Sequence, residues 1–447
     1  MQAPKEWYLE GQIGFMPHNI YGNMPLGAEM HALLGMTLWP GELAWWYGAI
    51  VGKVVIAAFA PLTAVLVYAA GRRLMSPAAG LVAAIVYLSL PWIAHLSFTG
   101  LIEGVVAYYL FAAFYATLLW SREQRESCAT VDETPSDTPN ETIVSFKSDG
   151  LATVAGWMAG AAIACKYPSL LFVGFPIGLW VLFDRWAIHW RSAMLYTLLL
   201  VAACGLWFGK NVVLAGNPTY PLLYSAFGGE TMTPEKHSQW KTAHAVPRDM
   251  SYSEDSPLAR HSPSQLWNSM ARVVYRNDWV SPLMMPLVVV GVFAVWGTRW
   301  AKLALVGIVY YFVTWWLLTH RLDRFWVPML PLFALLCGGS IMWLPTRTWG
   351  WTVAGVCLFS LVYNFPFITS RAMGDNRFFV ALDELRTESS AGPGDMQRTH
   401  RAHRWLNNHA ARDETVLLVG EAQPFDFEMP VLYATCFDTS PLERLLR

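Results

Sequence analysis

The stretch from residue 301 to residue 343, AKLALVGIVYYFVTWWLLTHRLDRFWVPMLPLFALLCGGSIMW, decides the fold. It holds two apolar runs, 301–319 and 325–343, each close to the ~20 residues that an α-helix needs to cross a hydrocarbon core. Between them stand His320, Arg321, Asp323 and Arg324. Ionisable groups are expensive within hydrocarbon, so this quartet belongs at a membrane edge.

Working outward, the same pattern recurs at 46–70, 79–96, 103–120, 151–165, 168–183, 193–209, 282–297 and 351–368, for ten spans in all. The region 151–183 is too long for one span and short for two, and it carries Lys166-Tyr167-Pro168 at its middle. Proline disfavours helix in the residue before it, so two short helices meeting at this turn are expected.

Composition agrees. Of 447 residues 55% are hydrophobic and 14% charged, where a soluble chain carries about 25% charged residues; the mean hydropathy is +0.33. The 23 Trp, 18 Tyr and 23 Phe suit two aromatic interface belts. A net charge of −1 leaves no basic excess for phosphate backbones, which excludes nucleic acid as a partner. Cys128, Cys165, Cys204, Cys337, Cys357 and Cys436 are scattered singly and read as small hydrophobes rather than a disulfide framework.

Short-loop Lys and Arg set the orientation. With the opening loop outside, the inner connections hold Arg72, Arg73, Arg122, Arg125, Lys147, Arg185, Arg191, Arg299, Lys302 and Arg347. The short outer ones hold only Lys166, Arg321 and Arg324. This asymmetry predicts both ends of the chain outside a cell membrane, the bacterial inner membrane. Three domains follow: a first extracytoplasmic loop, 1–45; a membrane domain, 46–368; and an extracytoplasmic C-terminal region, 369–447. Within the membrane domain, 121–150 is a polar inner linker expected to be disordered, and 210–281 is a long outer loop. In the tail, HRAHRWLNNHA (400–410) has a helical pattern and ETVLLVG (414–420) reads as a buried strand.

Candidate functional residues lie on the outer side. The opening loop, MQAPKEWYLEGQIGFMPHNIYGNMPLGAEMHALLGM (1–36), carries turn chemistry at Pro17-His18-Asn19 and Tyr21-Gly22-Asn23, then an interfacial helix with Leu26, Met30, Leu33 and Leu34 on one side. Glu29 falls on another face of that helix, pointing either to a site or to solvent. Glu6 and Glu10 flank Trp7-Tyr8 and read as surface residues of a short helix. Glu103 opens a span that is otherwise uncharged; the helix dipole accounts for it structurally, and its depth makes it a functional candidate. Lys166 lies at similar depth and is free either to hold a phosphate or to snorkel. Arg321 and Arg324 offer the paired donors that suit phosphate oxygens, with Asp323 as the alternative partner. His237, His244 and His261 are spaced by seven and seventeen residues, which matches no compact metal motif, so the residues themselves point to no metal site.

The order of these features resembles the GT-C membrane glycosyltransferases, in the branch that includes protein mannosyltransferases and the lipid A aminoarabinose transferase. The resemblance is carried by a first outer loop ending in an interfacial helix and by an acidic residue, Glu103, at the outer start of a later span. To these it adds the Ala-Cys-Lys-Tyr turn at 164–167, the Lys-Asn…Gly-Asn-Pro-Thr-Tyr-Pro segment from Lys210 and the Arg-Phe…Pro-Met-Leu-Pro segment from Arg324, so that it covers roughly 1–370.

It implies an all-α polytopic membrane protein of about ten transmembrane helices, with one more helix expected ahead of residue 1 and a small α/β extracytoplasmic tail. It implies transfer of a sugar from a polyprenyl-phosphate donor to a glycan, lipid or protein acceptor. Glu103 and Glu29 would act as catalytic carboxylates, and Lys166, Arg321, Arg324 and His320 would hold the donor phosphate. Asn19 and Asn23 would position the acceptor or the loop. Some members of the family use a divalent metal ion; no organic cofactor is expected. The family's acidic pair is expected upstream of Gln2-Ala3-Pro4-Lys5, because no Asp occurs before residue 132, and on that reading the 447-residue chain transfers no sugar. A lipid-linked sugar polymerase, ligase or flippase is the competing class. A polymerase would centre on 210–281, and a transporter on mid-bilayer charge such as Lys53 and on repeated halves, which the span spacing lacks.

Overall fold

The computed structural model describes residues 1–131, 140–185, 187–253, 255–256, 258–372 and 401–446. Helices carry the chain to residue 372. In order they are α1 (Gln2–Glu10), α2 (Met30–Leu38), α3 (Ala44–Leu74), α4 (Pro77–Leu88), α5 (Pro91–Thr99), α6 (Glu103–Val131), α7 (Asn140–Cys165), α8 (Phe175–Leu182) and α9 (Trp190–Ala215). Then come α10 (Tyr224–Phe227), α11 (Pro234–Ala243), α12 (Leu258–His261), α13 (Pro263–Val274), α14 (Met284–Val295), α15 (Arg299–Leu318), α16 (Leu330–Gly339) and α17 (Arg347–Ala372). The strands are only two residues long: β1 (Phe183–Asp184) pairs antiparallel with β2 (Ala187–Ile188), and in the tail β3 (Val416–Leu417) pairs parallel with β4 (Val431–Leu432). A further helix, Arg401–His409, occupies the tail where its pattern predicted one.

This is an all-α membrane protein. Among the described residues five helical segments are long and apolar enough to cross a bilayer: α3, α6 over Glu103–Glu126, α9, α15 and Asp323–Met342. The pair α4 and α5 is bent by 56° and counts as a sixth if taken as one span. Asp149–Cys165, Leu170–Leu182 and Met284–Val295 are apolar but shorter. The expected break falls at Lys166-Tyr167-Pro168, where α7 ends and a π-helical turn over Leu170–Gly174 leads into α8. The disordered linker expected over 121–150 is corrected at both ends, since α6 and α7 extend into it; its centre, 132–139, lies outside the described residues, as does 373–400 of the tail.

By contacts the chain forms two compact units. The first gathers Met1–Val55, Trp207–Ala243 and Thr369–Arg447; the second comprises Ile56–Leu206 and His244–Ile368. The second unit is built around α16, every residue of which is buried, as expected of a helix that is apolar all round. Small residues let the backbones approach: a side chain at Gly338 would collide with the Ala79 carbonyl of α4, and one at Gly291 of α14 with the Leu336 carbonyl. In α9, Leu198, Val201 and Leu206 are left exposed, the pattern of a surface solvated by lipid.

In the first unit the packing face of α2 differs from the expected stripe. Ala32, Gly35 and Met36 are its buried residues. A side chain at Gly35 would strike the Gly48 carbonyl, and one at Gly52 would strike Ala32, so α2 and the start of α3 meet through small residues. Leu26, Met30 and Leu33 pack instead around Trp7 and Trp207, and Leu34 stays exposed.

Candidate functional site

Within the second unit, the start of α6, the turn after α7 and the turn after α15 bring charged side chains together. Glu103 is the first residue of α6 and is buried. Lys166 donates from Nζ to Glu103 Oε1 at 2.9 Å, and Arg324 Nε stands 3.5 Å from the same oxygen. The other oxygen, Glu103 Oε2, is buried with no hydrogen-bond partner among the described residues. Exposure rises from 3% for the Glu103 side chain to 21% for Lys166 and 41% for Arg324, so the cluster opens outward along its cations.

Phe325 is the floor of this cluster. Lys166 Nζ lies 3.5 Å from its ring centroid and the Arg324 guanidinium 5.6 Å, geometry that favours a cation over an aromatic face. The ring is held from behind, because Tyr311 donates its hydroxyl to the Phe325 carbonyl at 2.9 Å while stacking on Phe172 at 4.4 Å. His320 meets the Phe325 ring edge-on at 5.1 Å and the His244 ring edge-on at 5.3 Å. Burial, then His244, Lys166 and Arg324, lower the His320 pKa, so the imidazole is held neutral beside two fixed cations.

Arg321 departs from the expectation that it joins Lys166 and Arg324. It is buried, with a left-handed backbone at φ 56°, and its donors are committed elsewhere. Nε donates to the Trp316 carbonyl, Nη1 to Gln265 Oε1 and Nη2 to the Arg260 carbonyl, at 2.9, 2.8 and 2.7 Å. Arg321 is therefore a structural clamp that ties α12 and α13 to the end of α15. Burial lowers its pKa to about 10, which leaves it charged at neutral pH.

Glu29, Asn19 and Asn23 lie in the first unit. Glu29 is the half-buried N-cap position of α2, makes no side-chain cap bond, and raises the pKa of the Met1 amino group against the lowering effect of burial. Asn19 caps the turn Ile20–Asn23 by accepting from Gly22 N, and donates to Tyr433 Oη at 3.0 Å. Asn23 is fully buried; its side chain bonds both the N–H and the carbonyl of Met16 at 2.9 Å. Both asparagines hold loop backbone.

Glu6 corrects the surface reading. It accepts from Gln2 at 2.6 Å and from Tyr433 Oη at 2.6 Å, and pairs with His18 Nε2 at 2.8 Å. Burial pushes its pKa up, but hydrogen bonds from His18, Tyr433 and Gln2 outweigh that and lower it. Glu10 remains exposed. Next to Glu6, Lys5 is buried, donating to the carbonyls of Phe425 and Phe427 at 2.7 and 2.6 Å with its Nζ 3.6 Å from the Trp45 ring centroid. Nothing in local spacing points to the contacts with Phe425, Phe427 and Tyr433, because these partners lie more than four hundred positions away.

Among the described residues no three His, Cys, Asp or Glu side chains converge as a cation site. His237 packs on Tyr224, His244 on His320 and His261 on Trp316. The donor set for a resident divalent ion is not assembled by the described residues.

Neither a protein-family model nor a curated protein sequence matches the chain. Solved structures do. ArnT from Cupriavidus metallidurans in the apo state aligns with a TM-score of 0.56 at 14% identity, over 96% of this chain and 79% of that one. The same protein bound to undecaprenyl phosphate aligns with a TM-score of 0.55 at 14% identity, over 100% and 82%. The chain thus shares the fold of ArnT.

Proposed function

We propose that this protein is a membrane glycosyltransferase that moves a sugar from a polyprenyl-phosphate donor to an acceptor hydroxyl on the extracytoplasmic face of the cell membrane. The observation that carries the reading is the convergence of Lys166 and Arg324 on the buried Glu103 at the start of α6. As the bond from the sugar C1 to the lipid phosphate breaks, the phosphate keeps the electron pair, and two cations over an aromatic floor stabilise that developing charge. Glu103 is the counter-ion that holds both cations in place before the donor arrives, and His320 adds a neutral donor beside them. The acceptor oxygen forms the new bond and loses its proton to a carboxylate; Glu29 is the first-loop carboxylate to test for that role. The GT-C fold and the undecaprenyl phosphate bound to the ArnT neighbour support the donor class.

The test uses the chain in proteoliposomes, with undecaprenyl phosphate binding and sugar transfer measured separately from lipid flipping. Wild-type protein should bind the lipid, and Lys166→Met should bind it at least tenfold more weakly. Equal binding by a folded Lys166→Met variant would overturn the reading, and flipping without transfer would favour the transporter class. The orientation is tested by cysteine labelling of intact cells: probes in 1–45 and 210–281 should react from outside, and probes in 121–150 should not.

A further inference from the structure

At the 56° bend between α4 and α5 the second unit gathers aromatic rings and buried polar atoms that the Glu103 cluster does not use. His95 of α5 lies against Trp279, which precedes α14, with ring centroids 4.3 Å apart. Trp92 meets both rings, at 5.9 Å from His95 and 5.3 Å from Trp279. The backbone ties the group together: Trp92 N donates to the Trp279 carbonyl at 3.0 Å, and Trp279 N donates to Asn277 Oδ1 at 2.9 Å. Asn364 of α17 reaches the same bend, donating from Nδ2 to the Leu88 carbonyl at 3.3 Å.

Three side-chain atoms here are buried with no hydrogen-bond partner among the described residues: Trp92 Nε1, Asn277 Nδ2 and Asn364 Oδ1. Trp92 is 8% exposed and Asn364 5%, so solvent does not relieve them, and a polar group left unmet in such surroundings costs free energy. Two of the three atoms donate and one accepts. A phosphate or carboxylate would satisfy only the donors and a cation only the acceptor, whereas hydroxyl groups satisfy both kinds. Charge favours neither sign of ligand, because Arg276 and Asp278 flank Asn277, are exposed and cancel. Trp279 and His95 are half-buried, and the negative face of an aromatic ring attracts the weakly positive C–H face of a pyranose.

We propose that Trp92, His95, Trp279, Asn277 and Asn364 form a binding site for a neutral pyranose. The sugar ring stacks on Trp279, and its hydroxyls accept from Trp92 Nε1 and Asn277 Nδ2 and donate to Asn364 Oδ1. The aromatic rings with a few fixed polar atoms are the usual composition of a small-ligand site. The proposal concerns binding alone and does not rest on the transfer reaction proposed for the Glu103 cluster.

The experiment is native mass spectrometry of the full chain in an amine-oxide detergent. Octyl glucoside, octyl galactoside and octyl mannoside are the probes, and tetraethylene glycol monooctyl ether is the control with the same tail and no sugar ring. At least one hexoside should bind roughly tenfold more tightly than the control, since a site built for hydroxyls rejects a head group that lacks them. Trp279→Leu should abolish that preference. Trp92→Phe keeps the ring and loses one donor, so binding should weaken by about fivefold. Because that substitution removes an unmet buried N–H, Trp92→Phe should melt no lower than wild type, and it remains a test should Trp279→Leu fail to fold. No preference for any hexoside in the wild type, or an unchanged preference in folded Trp92→Phe, would overturn the proposal. Competition by the matching methyl hexoside would support a site for a free or glycan-borne sugar, and its failure to compete would support a lipid-borne one. Loss of undecaprenyl phosphate binding alone would count against the Glu103 reading and leave this site standing.

Discussion

Two buried carboxylates of the second unit, Glu103 and Asp184, are each met by an arginine, and they are finished differently. Asp184 accepts from Ser121 at 2.7 Å and from Trp180 at 3.2 Å and pairs with Arg299, which in turn donates to Ser121 at 2.9 Å. Both of its oxygens are used, and the result is a knot joining α6, β1 and α15. Glu103 has Lys166 and Arg324 on one oxygen and nothing among the described residues on the other. The two sites lie eighteen residues apart along α6, about 27 Å at the helical rise. A closed network is a structural fastening. An open one beside half-exposed cations has capacity left for a ligand.

The sharpest way to break this contrast is to remove one cation at the open site. Arg324→Ala should cost about 2–4 kcal/mol of transition-state stabilisation, or roughly 30- to 1,000-fold in kcat/KM, because the contact strengthens as the phosphate leaves. Its melting temperature should stay close to that of the wild type, since Arg324 is partly solvated. A variant that transfers sugar at the wild-type rate would remove the distinction between the two sites. Next in size, Asp184→Ala should destabilise the fold by about 3 kcal/mol, the low end for a broken buried pair because Arg299 is itself partly exposed. Transfer per folded molecule should be unchanged, and this is read by thermal denaturation alongside a transfer assay normalised to folded protein.

Arg321 makes the comparison stricter, because it sits three residues from Arg324 and belongs with Asp184 in kind. Arg321→Ala should lower stability by about 1–2 kcal/mol, leaving Gln265 and two carbonyls short of a donor. Donor binding should stay within about twofold of wild type, a small effect for a residue that makes no phosphate contact. A loss of binding as large as that of Arg324→Ala would return Arg321 to the phosphate group.

The spans were legible because a membrane imposes a length and a composition on every crossing, and Pro168 marked the break after α7 for a steric reason. Glu103, Lys166 and Arg324 were each legible as ionisable groups at a membrane edge. That they meet was not, since Lys166 lies 63 positions from Glu103 and no periodicity links them. Arg321 and Arg324 look alike in sequence; only the positions of Gln265 and Arg260, 56 and 61 residues away, separate clamp from candidate ligand. Glu6 misled for the same reason. Its neighbours in sequence say surface helix, and the hydroxyl that buries it belongs to Tyr433.

Lys5 supplies the smallest test, a buried cation finished by carbonyls rather than by a carboxylate. Burial lowers its pKa from 10.5 to about 7, against the opposing pull of Asp426, Glu6 and Glu428. The folded value is below the unfolded one, so between these limits the unfolded chain binds more protons. Stability of the first unit must then rise with pH from about 7 towards 10.5 and be flat with respect to this group below and above that window. The slope cannot exceed about 1.4 kcal/mol per pH unit, so the gain between neutrality and one unit above it is about 1 kcal/mol. The neutral amine can still donate to Phe425 and Phe427, and the tail therefore stays docked as the proton leaves. Lys5→Met should flatten the profile over this window while losing both carbonyl contacts. Chemical denaturation of wild type and variant at pH 7 and pH 8 checks this. A wild-type stability that falls with pH, or a slope that persists in Lys5→Met, would show that Lys5 remains a fully solvated ammonium and that the carbonyl pair does not bury it.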